Sequence, residues 1–233
     1  MTASVYLQPA LILHRRPYRE SSLLIDAITR DHGVVTLVAK AVRSDKSRSA
    51  ALLQPFSLLN LSFLGSGDLK TLTSVERLAT FELQRLALYC GFYVNELLQR
   101  LCFPHAPCPE VFERYQHCLQ ALTTAADIAL SLRHFELDLL EMLGYGVEFE
   151  RDTANDSQVV AHKRYDYRPA YGMVEGSDGT ISGATLIQLA HRQPLPEQAA
   201  HEAKHLLRQM LDQHLGGKPL KSRDVLSHII KYL

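Results

Sequence analysis

The chain has 233 residues, 46% of them hydrophobic and 21% charged, and its 25 basic and 25 acidic side chains give a formal net charge of zero. A chain of this length and composition can bury a core of its own without metal or disulfide staples. No uninterrupted apolar run approaches the ~20 residues of a membrane-spanning helix, which argues against an integral membrane protein.

The amino-terminal stretch "MTASVYLQPALILHRRPYRE" has no basic region ahead of its apolar part, so we do not interpret it as a signal peptide. The four cysteines, at positions 90, 102, 108 and 118, form no CxxC pair. Without an export signal, we expect these thiols to be reduced and the protein to be cytoplasmic.

The pattern of residues 1–80 is that of five strands. Apolar or alternating stretches are separated by turn signals such as "RDHG" and "GSGD". The predicted strands are 9–15, 21–29, 34–42, 54–64 and 69–78. A five-stranded antiparallel unit of this size is what a small closed barrel of the OB type requires.

From residue 81 onward the apolar positions follow a helical period. The stretch 81–102 is apolar nearly all round, which predicts a buried central helix. Two more helices are predicted over 109–122 and 125–143, and Gly144 is a suitable residue to end the second of them.

Residues 147–182 are polar and contain several glycines and tyrosines, which favours short strands and loops. Ser182 is suited to cap the next helix, and a long helix closed by glycines and a final helix follow. The sequence therefore predicts an α+β protein. An OB-fold barrel occupies 1–80 and a mainly α-helical domain occupies 81–233, with 147–182 as a small irregular β/loop insertion.

The sharpest match to a catalytic pattern is "HEAKH" at 201–205. On a helix, HExxH places two zinc-binding histidines on one face beside a glutamate that acts as general base. Helical spacing, however, puts His201 and His205 opposite the apolar stripe around Leu206, and Arg208 would stand beside the metal. A polar helix face is the preferred interpretation, and a zinc hydrolase is the remote alternative.

A second possible metal cluster is "CFPHAPC", which offers Cys102, His105 and Cys108 as zinc ligands. The spacing is not that of a usual zinc knuckle, and the prolines account for the loop, so we expect packing thiols here. The chain has no P-loop, no GxGxxG and no nucleophile elbow. We therefore predict no catalytic residue, no bound metal and no cofactor.

Charge is unevenly distributed along this neutral chain. Residues 1–80 contain 10 Lys+Arg and 6 Asp+Glu, a balance of +4, whereas residues 81–233 contain 15 and 19, a balance of −4. This asymmetry suggests that the basic half meets an anionic partner. Its basic residues concentrate in "HRRPYRE", assigned to the first strand-to-strand connection, and in "KAVRSDKSRSA", between the third and fourth strands.

An OB barrel binds nucleic acid in a groove where basic groups follow the phosphates and aromatic rings stack on bases. The candidate phosphate contacts are Arg15, Arg16, Arg19, Lys40, Arg43, Lys46, Arg48 and Lys70. Tyr18, Phe56 and Phe63 are candidate stacking platforms, although Phe63 fits the core equally well. A solvated loop is the alternative for each basic run, and charge alone does not decide between the two.

Two further expectations concern basic residues. Lys218, Lys221 and Arg223 form a second candidate DNA-binding patch, or alternatively a helix cap and the start of the last helix. The stretch 40–50 is rich in serine and lacks apolar anchors, so we expect a loop that becomes ordered on DNA.

Several stretches resemble the RecO family of bacterial recombination mediators. They include "ESSLLIDAIT", "HGVVTLVAKAVR", "LQPFSLLNLSF" and "RHFELDLLEMLGYGVEF", and together they span nearly the whole chain. The most specific are "YVNELL", "LGYG" and "GGKPLKSRD". The resemblance implies an N-terminal OB fold, a helical C-terminal domain and a role that is not enzymatic.

The resemblance also implies a function in the RecF pathway of the DNA damage response, at the nucleoid and not at a membrane. It implies binding of single- and double-stranded DNA, annealing of complementary strands and help in loading the RecA recombinase. The implied protein partners are RecR and the acidic C-terminal tail of single-stranded DNA-binding protein. Many members carry a four-cysteine zinc site after "LGYG", but the insertion 147–182 has no cysteine, so we expect no metal there.

An alternative hypothesis is an adaptor that acts through protein contacts and has little direct role on DNA. The acidic tail of a partner requires a hydrophobic groove with a basic clamp. Arg133 precedes Phe135 on a strongly apolar predicted helix and is the candidate clamp. A surface arginine at a helix end is the alternative for this residue.

Overall fold

A computed structural model describes residues 4–42, 48–124 and 127–231, apart from the side chain of Arg48. The first half consists of five strands and one short helix. These are β1 (Ser4–Tyr18), β2 (Ser22–Thr29), β3 (Gly33–Ala39), α1 (Arg48–Leu52), β4 (Ser57–Leu64) and β5 (Leu69–Thr80). The strands close into a barrel in the order β1-β2-β3-β5-β4, with β3 and β5 parallel and the other pairs antiparallel. The predicted OB barrel is confirmed.

The barrel closes around side chains that alternate along each strand, as a two-residue period requires. Ile12, Ile25, Leu37, Leu61 and Phe63 are all buried in this core. Branched and aromatic side chains fill the interior of a small barrel well, which is why these apolar stretches pair as strands.

The first strand is longer than the sequence predicted. A bulge between Ile12 and His14 lets β1 bend and stay paired with β2, so that Arg15 lies opposite Ile25 and Arg16 opposite Leu24. Both arginines therefore lie within a strand and not in the connection to β2, which corrects the sequence assignment. Pairing with the apolar strand β2 outweighed the local preference of a charged, proline-containing stretch for a loop.

The turn before β3 depends on its glycine. Gly33 has a φ of +62°, and a Cβ there would stand 2.1 Å from the carbonyl oxygen of Ala106. The amide of His105 donates to the carbonyl of Val34 at 3.0 Å, and Pro104 forms a bridge with Val34. The segment 104–106 thus covers the Gly33 end of β3 and leaves the other end of that strand uncovered by it.

Six longer helices follow the barrel: α2 (Arg85–Leu101), α3 (Pro109–Thr124), α4 (Ile128–Met142), α5 (Gly183–Ala190), α6 (Glu197–His214) and α7 (Lys221–Ile230). The chain divides into two compact units, one of residues 1–126 with 220–233 and the other of 127–219. Packing thus groups α2, α3 and α7 with the barrel, although the sequence pattern changes at residue 81. None of the described helices is long and apolar enough to cross a membrane.

In the barrel unit, α2 is fastened to the strands through Asn95. Its side-chain amide donates to the carbonyl of Leu13 at 2.9 Å, beside the β1 bulge, and its carbonyl oxygen accepts from the Tyr115 hydroxyl of α3. All of these groups are buried, and burial raises the pKa of Tyr115. Next in sequence, Glu96 accepts from the amides of Lys221 and Ser222 at 3.0 and 2.8 Å and so caps α7.

The second unit contains a small sheet in the order β10-β8-β9-β6-β7. Its strands are β6 (Arg151–Asp152), β7 (Ser157–Gln158), β8 (Arg164–Arg168), β9 (Gly172–Glu175) and β10 (Ile181–Ser182). The predicted irregular insertion is thus a sheet of short strands. Ser182 caps α5 as predicted, since its hydroxyl accepts from the amide of Thr185.

The insertion is organised around one buried carboxylate. Asp152 is fully buried and accepts from the Asn155 side chain at 2.6 Å and from the amides of Ala154 and Glu175 at 3.1 and 3.3 Å. Burial raises the pKa of Asp152, but these hydrogen bonds outweigh it, and the pKa lies below its ordinary value. Hydrogen bonds to Asp152 therefore hold together a loop region that has no cysteine.

Candidate nucleic-acid interface

The outer face of β1, β2 and β3 carries a pocket at the end away from Gly33. Leu23 and Ala39 are paired and point into the core, so their neighbours Ser22 and Lys40 point outward beside Tyr18. The pocket has a volume of about 580 Å³. Its lining residues are Tyr18, Arg19, Glu20, Ser21, Ser22, Val38, Lys40 and Ala41. We refer to it as the Tyr18–Lys40 pocket.

This pocket combines one aromatic ring with two basic side chains. The guanidinium carbon of Arg19 lies 5.2 Å from the centre of the Tyr18 ring, within the range of a cation–π contact. Arg19 and Lys40 are both exposed, and Tyr18 is half-buried. The pocket can therefore offer a stacking surface and positive charge to the same ligand.

The other two arginines of β1 have partners within the barrel unit. The half-buried Arg15 directs its guanidinium to the carbonyls of Ala50 and Leu53, at 3.5 and 3.4 Å, at the end of α1. Arg16 lies 3.4 Å from the carboxylate of Asp26, although half of its side chain is exposed. These contacts give Arg15 a structural role and reduce the positive charge that Arg16 presents.

Asp26 also accepts from the hydroxyl of Thr36 and the side-chain amide of Gln99, both at 2.8 Å. The carboxylate is mostly buried, with 10% of its side chain exposed. Because Gln99 belongs to α2, this network ties that helix to the middle of the β2–β3 face. Among the residues that the structure describes, the network and segment 104–106 cover other parts of this face and not its Lys40 end.

The remaining predicted phosphate contacts of the barrel are Lys70, Arg43, Lys46 and Arg48. Lys70 is half-buried, and its ammonium group donates to the carbonyl of Gly67 at 2.9 Å in the β4–β5 turn. Arg43 and Lys46 lie outside the described residues, and the backbone of Arg48 begins α1. The expected loop over 40–50 is wrong at its ends, because Val42 is buried in the barrel core and α1 begins at Arg48. The proposed role of the stretch on DNA stays a prediction.

Phe56 is wrong as a stacking platform, and for Phe63 the alternative of a core residue is confirmed. Phe63 is 1% exposed inside the barrel, and Phe56 is 5% exposed with its ring edge-on to Phe92 at 5.0 Å. Alternation in 54–64 identifies two faces, but it does not show that Phe56, just before β4, packs against Phe92 of α2. Tyr18 is the one candidate platform of the three that remains accessible.

The second basic patch is divided between the two units. In the barrel unit, Lys221 is exposed at the start of α7, whereas Arg223 is half-buried with its guanidinium 5.8 Å from the centre of the Tyr93 ring. In the other unit, Lys218 is exposed. Glu96 supports the capping interpretation of this region, because it accepts hydrogen bonds from the first amides of α7.

The candidate clamp Arg133 is 8% exposed and forms a two-pronged ion pair with Glu136, with hydrogen bonds of 2.7 and 2.6 Å. The alternative of a surface arginine is therefore wrong, because this side chain is buried. Arg133 lines a pocket of about 220 Å³. The other lining residues are Asp127, Ala129, Leu130, Leu195, Glu197, Ala200, His201 and Lys204. We refer to it as the Arg133 pocket.

The HExxH stretch does not have the arrangement that zinc hydrolysis needs. His201 and His205 are exposed, as predicted, but Glu202 accepts from Arg164, Thr185 and Ser182 at 2.6 to 3.0 Å. Burial raises the pKa of Glu202, yet these hydrogen bonds dominate and lower it to about 2. A carboxylate held in this way is occupied by structural partners and is not poised as a general base.

The thiols of the barrel unit are mostly buried, as the packing interpretation predicted. Cys90, Cys102 and Cys118 are buried, and Cys108 is partly exposed. A hydrogen bond between Cys108 and Cys102, together with burial, raises the pKa of Cys102, while the same hydrogen bond lowers that of Cys108. Within 4–42, 48–124 and 127–231, no group of three His, Cys, Asp or Glu side chains is placed to hold a metal ion.

Comparison with known proteins gives consistent results over the whole chain. Residues 1–81 match the family model described as recombination protein O N terminal, and residues 82–224 match recombination protein O C terminal. The chain is 41% identical to the DNA repair protein RecO of Methylococcus capsulatus, over 95% of this chain and 93% of that protein. It is 40% identical to the RecO of Haemophilus influenzae, over 97% and 98% of the two chains.

The RecO of Pasteurella multocida is also 40% identical, over 97% of this chain and 96% of its own length. The matched regions include both the barrel and the helical part, and they extend to within a few residues of each end. On these similarities and on the OB barrel, the chain belongs to the RecO family of DNA repair proteins.

Proposed function

We propose that the protein is a DNA-binding recombination mediator that anneals complementary strands without catalysing a covalent step. The observation that carries the proposal is the Tyr18–Lys40 pocket on the outer face of an OB barrel, where a tyrosine and two exposed cations line one concavity. Such a combination suits a single strand, since cations neutralise phosphates and a ring stacks on bases.

Annealing follows from electrostatics in this proposal. Two DNA strands repel each other, and a surface that neutralises phosphates on both lowers that repulsion without ATP. Arg19 and Lys40 form the centre of the proposed surface, and Lys70 is a further proposed contact. Arg43, Lys46 and Arg48 are proposed contacts on their sequence alone. Lys218, Lys221 and Arg223 are proposed as further contacts, by which double-stranded DNA would also bind.

Charge reversal tests the DNA-binding proposal. We expect Lys40→Glu to weaken binding of a labelled single-stranded oligonucleotide by about tenfold or more (~1.4 kcal/mol). The slope of log affinity against log salt should fall by at least ~0.7, the value of one phosphate contact on a single strand. Arg77→Glu is the matched control, because Arg77 is an exposed cation of β5 opposite Leu59 of β4, on another part of the barrel. Equal effects of the two substitutions would refute the assignment.

A second function is favoured by the Arg133 pocket. Leu130, Leu195 and Ala200 supply apolar surface. Lys204 and His201 lie at the same site beside two acids, Asp127 and Glu197, and the charge of Arg133 is already balanced by Glu136. We propose that this pocket takes the acidic C-terminal tail of single-stranded DNA-binding protein. An apolar residue with a neighbouring carboxylate is what such a pocket recognises.

A labelled peptide of that tail chemistry provides the test. We expect Lys204→Glu to weaken its binding and Arg133→Ala to weaken it further, with thermal unfolding recorded for each variant. Lys204 is exposed, so its replacement leaves the fold intact and keeps the test decisive if Arg133→Ala is unstable. Wild-type affinity in the Lys204 variant would remove the pocket from consideration.

The remaining partners are proposed on family membership. We propose that RecR binds this protein and that the complex assists loading of RecA on DNA coated by single-stranded DNA-binding protein. A strand-annealing assay with bare and with coated oligonucleotides separates the two proposed functions. A DNA mediator anneals bare strands, whereas a pure adaptor acts only when the coating protein is present.

A further inference from the structure

The Tyr18–Lys40 pocket is a concavity and not merely a basic surface. Its lining comes from the end of β1, the turn at residues 19–21, the start of β2 and the end of β3. A volume of about 580 Å³ lies within the ~300–1,000 Å³ range of small-ligand sites. The concavity is open, and its volume exceeds what a phosphate alone would fill, so there is room for a larger group.

The chemistry of the lining fits one nucleotide unit. The guanidinium of Arg19 lies over one face of the Tyr18 ring, 5.2 Å from its centre, so the pair offers a base the outer side of the guanidinium or the opposite face of the ring. Nucleobases stack on both kinds of surface. The aliphatic side chain of Val38 and the small residues Ser21 and Ser22 leave room beside them.

The charges of the lining select among phosphate ligands. Arg19 and Lys40 contribute two positive charges and Glu20 contributes one negative charge. Among the described lining residues this net charge of +1 matches the single charge of a phosphodiester, whereas a free nucleoside triphosphate would bring several negative charges close to Glu20. The carboxylate of Glu20 also repels phosphate, which places the phosphate toward Lys40.

The two turns that border the pocket have an unusual backbone conformation. Arg19 and Ala41, which lie in the two turns that border the pocket, have φ values of +52° and +56°. L-residues other than glycine rarely adopt this left-handed conformation, although seven others among the described residues adopt it elsewhere in the chain. Both turns therefore hold an unfavourable conformation that shapes the rim of one pocket.

From this shape, chemistry and charge we infer that the Tyr18–Lys40 pocket holds one unstacked nucleotide of a DNA strand, with its base on Tyr18 and its phosphate at Lys40. The inference rests on the proposed DNA-binding function and adds to it a defined site for a single base. Binding there draws one base out of the strand's own stack, which leaves neighbouring bases spaced for pairing with a second strand.

The test compares three tyrosine variants in single-strand binding at several salt concentrations. We expect Tyr18→Ala to weaken binding about tenfold with little change in the salt slope, since stacking is lost but no phosphate contact is. Tyr18→Phe should bind as the wild type does, because the stacking face is kept. Tyr6→Ala is the matched control, because Tyr6 is also on β1 and is 76% exposed.

Crosslinking and competition complete the test. A short oligonucleotide with photoreactive 5-iodouracil should crosslink to Tyr18, as peptide mass spectrometry would reveal, and an excess of dTMP should displace it only weakly. Wild-type binding by Tyr18→Ala, or equal losses in Tyr18→Ala and Tyr6→Ala, would overturn the inference, as would displacement by dTMP at the affinity of the oligonucleotide. If charge reversal at Lys40 weakens binding while Tyr18→Ala does not, this inference alone fails. If the protein binds no single strand at all, the proposed function fails with it.

Discussion

The Tyr18–Lys40 pocket and the Arg133 pocket both contain basic side chains, but they hold those charges in opposite ways. Lys40 is exposed and makes no ion pair with any carboxylate in the described part of the chain. Arg133 is buried, and the carboxylate of Glu136 already neutralises it. A basic residue in a sequence therefore marks a charge, and only the structure shows whether that charge is offered to a ligand or used within the fold.

The largest difference between the two pockets should appear in stability. Arg133→Ala leaves Glu136, which is 2% exposed, as a buried charge without its partner, and we expect a loss of ~3–5 kcal/mol in the free energy of unfolding. Lys40→Ala removes an exposed side chain and should change that free energy by less than ~0.5 kcal/mol. Denaturant unfolding of both variants measures the contrast.

The double variant Arg133→Met with Glu136→Leu is the control for this prediction. Replacing both partners by apolar residues of similar size leaves no unpaired charge, and stability should return close to that of the wild type. If Arg133→Ala were as stable as the wild type, the ion pair would not be holding α4, and the contrast between the two pockets would disappear.

A smaller effect is expected at Glu202, on the helix that borders the Arg133 pocket. Its pKa is about 2 in the folded protein against 4.5 for the free side chain. Because the folded-state pKa is the lower one, this carboxylate stabilises the protein above about pH 4.5, and the contribution is lost as the pH falls toward 2. The barrel pocket has no corresponding buried carboxylate among its lining residues.

Glu202→Gln tests this dependence. The variant should lose about 2 kcal/mol of stability at neutral pH, because hydrogen bonds to a charged acceptor are replaced by weaker ones. Between pH 4.5 and pH 2, the stability of the variant should also fall less than that of the wild type. Parallel pH profiles for the two proteins would show that Glu202 is not the group responsible.

The barrel could be predicted because the signals for its strands and turns lie close together in the sequence. Alternating apolar residues in 21–29 and 34–42 and the glycine turn between them specify a hairpin before any long-range contact is considered. The partner of Arg133 also had a local signal, since Glu136 is three residues away on the same helix, and spacing of this kind predicts an ion pair.

Other partners lie too far away in sequence for any spacing rule. Glu202 binds Ser182 twenty residues upstream, and Asp26 accepts from Gln99 across 73 residues. The pocket itself combines Tyr18 with Lys40 only because β2 pairs with both neighbouring strands in one register. The motif "YVNELL" is specific in the sequence, but its physical role depends on distant partners, since Asn95 binds β1 and Glu96 caps α7.

The smallest predicted effect separates two cations of the barrel, Arg15 and Lys40. Because Arg15 donates to the carbonyls at the end of α1, Arg15→Ala should cost about 1 kcal/mol in stability and leave the salt slope of DNA binding unchanged. Lys40→Ala should have the reverse profile, with stability preserved and the slope reduced by ~0.7. Measuring both quantities for both variants distinguishes a cation that supports the fold from one that meets phosphate. If Arg15→Ala lowered the slope as much as Lys40→Ala does, the interface would extend along β1 toward α1, and the Tyr18–Lys40 pocket would be one end of a longer groove.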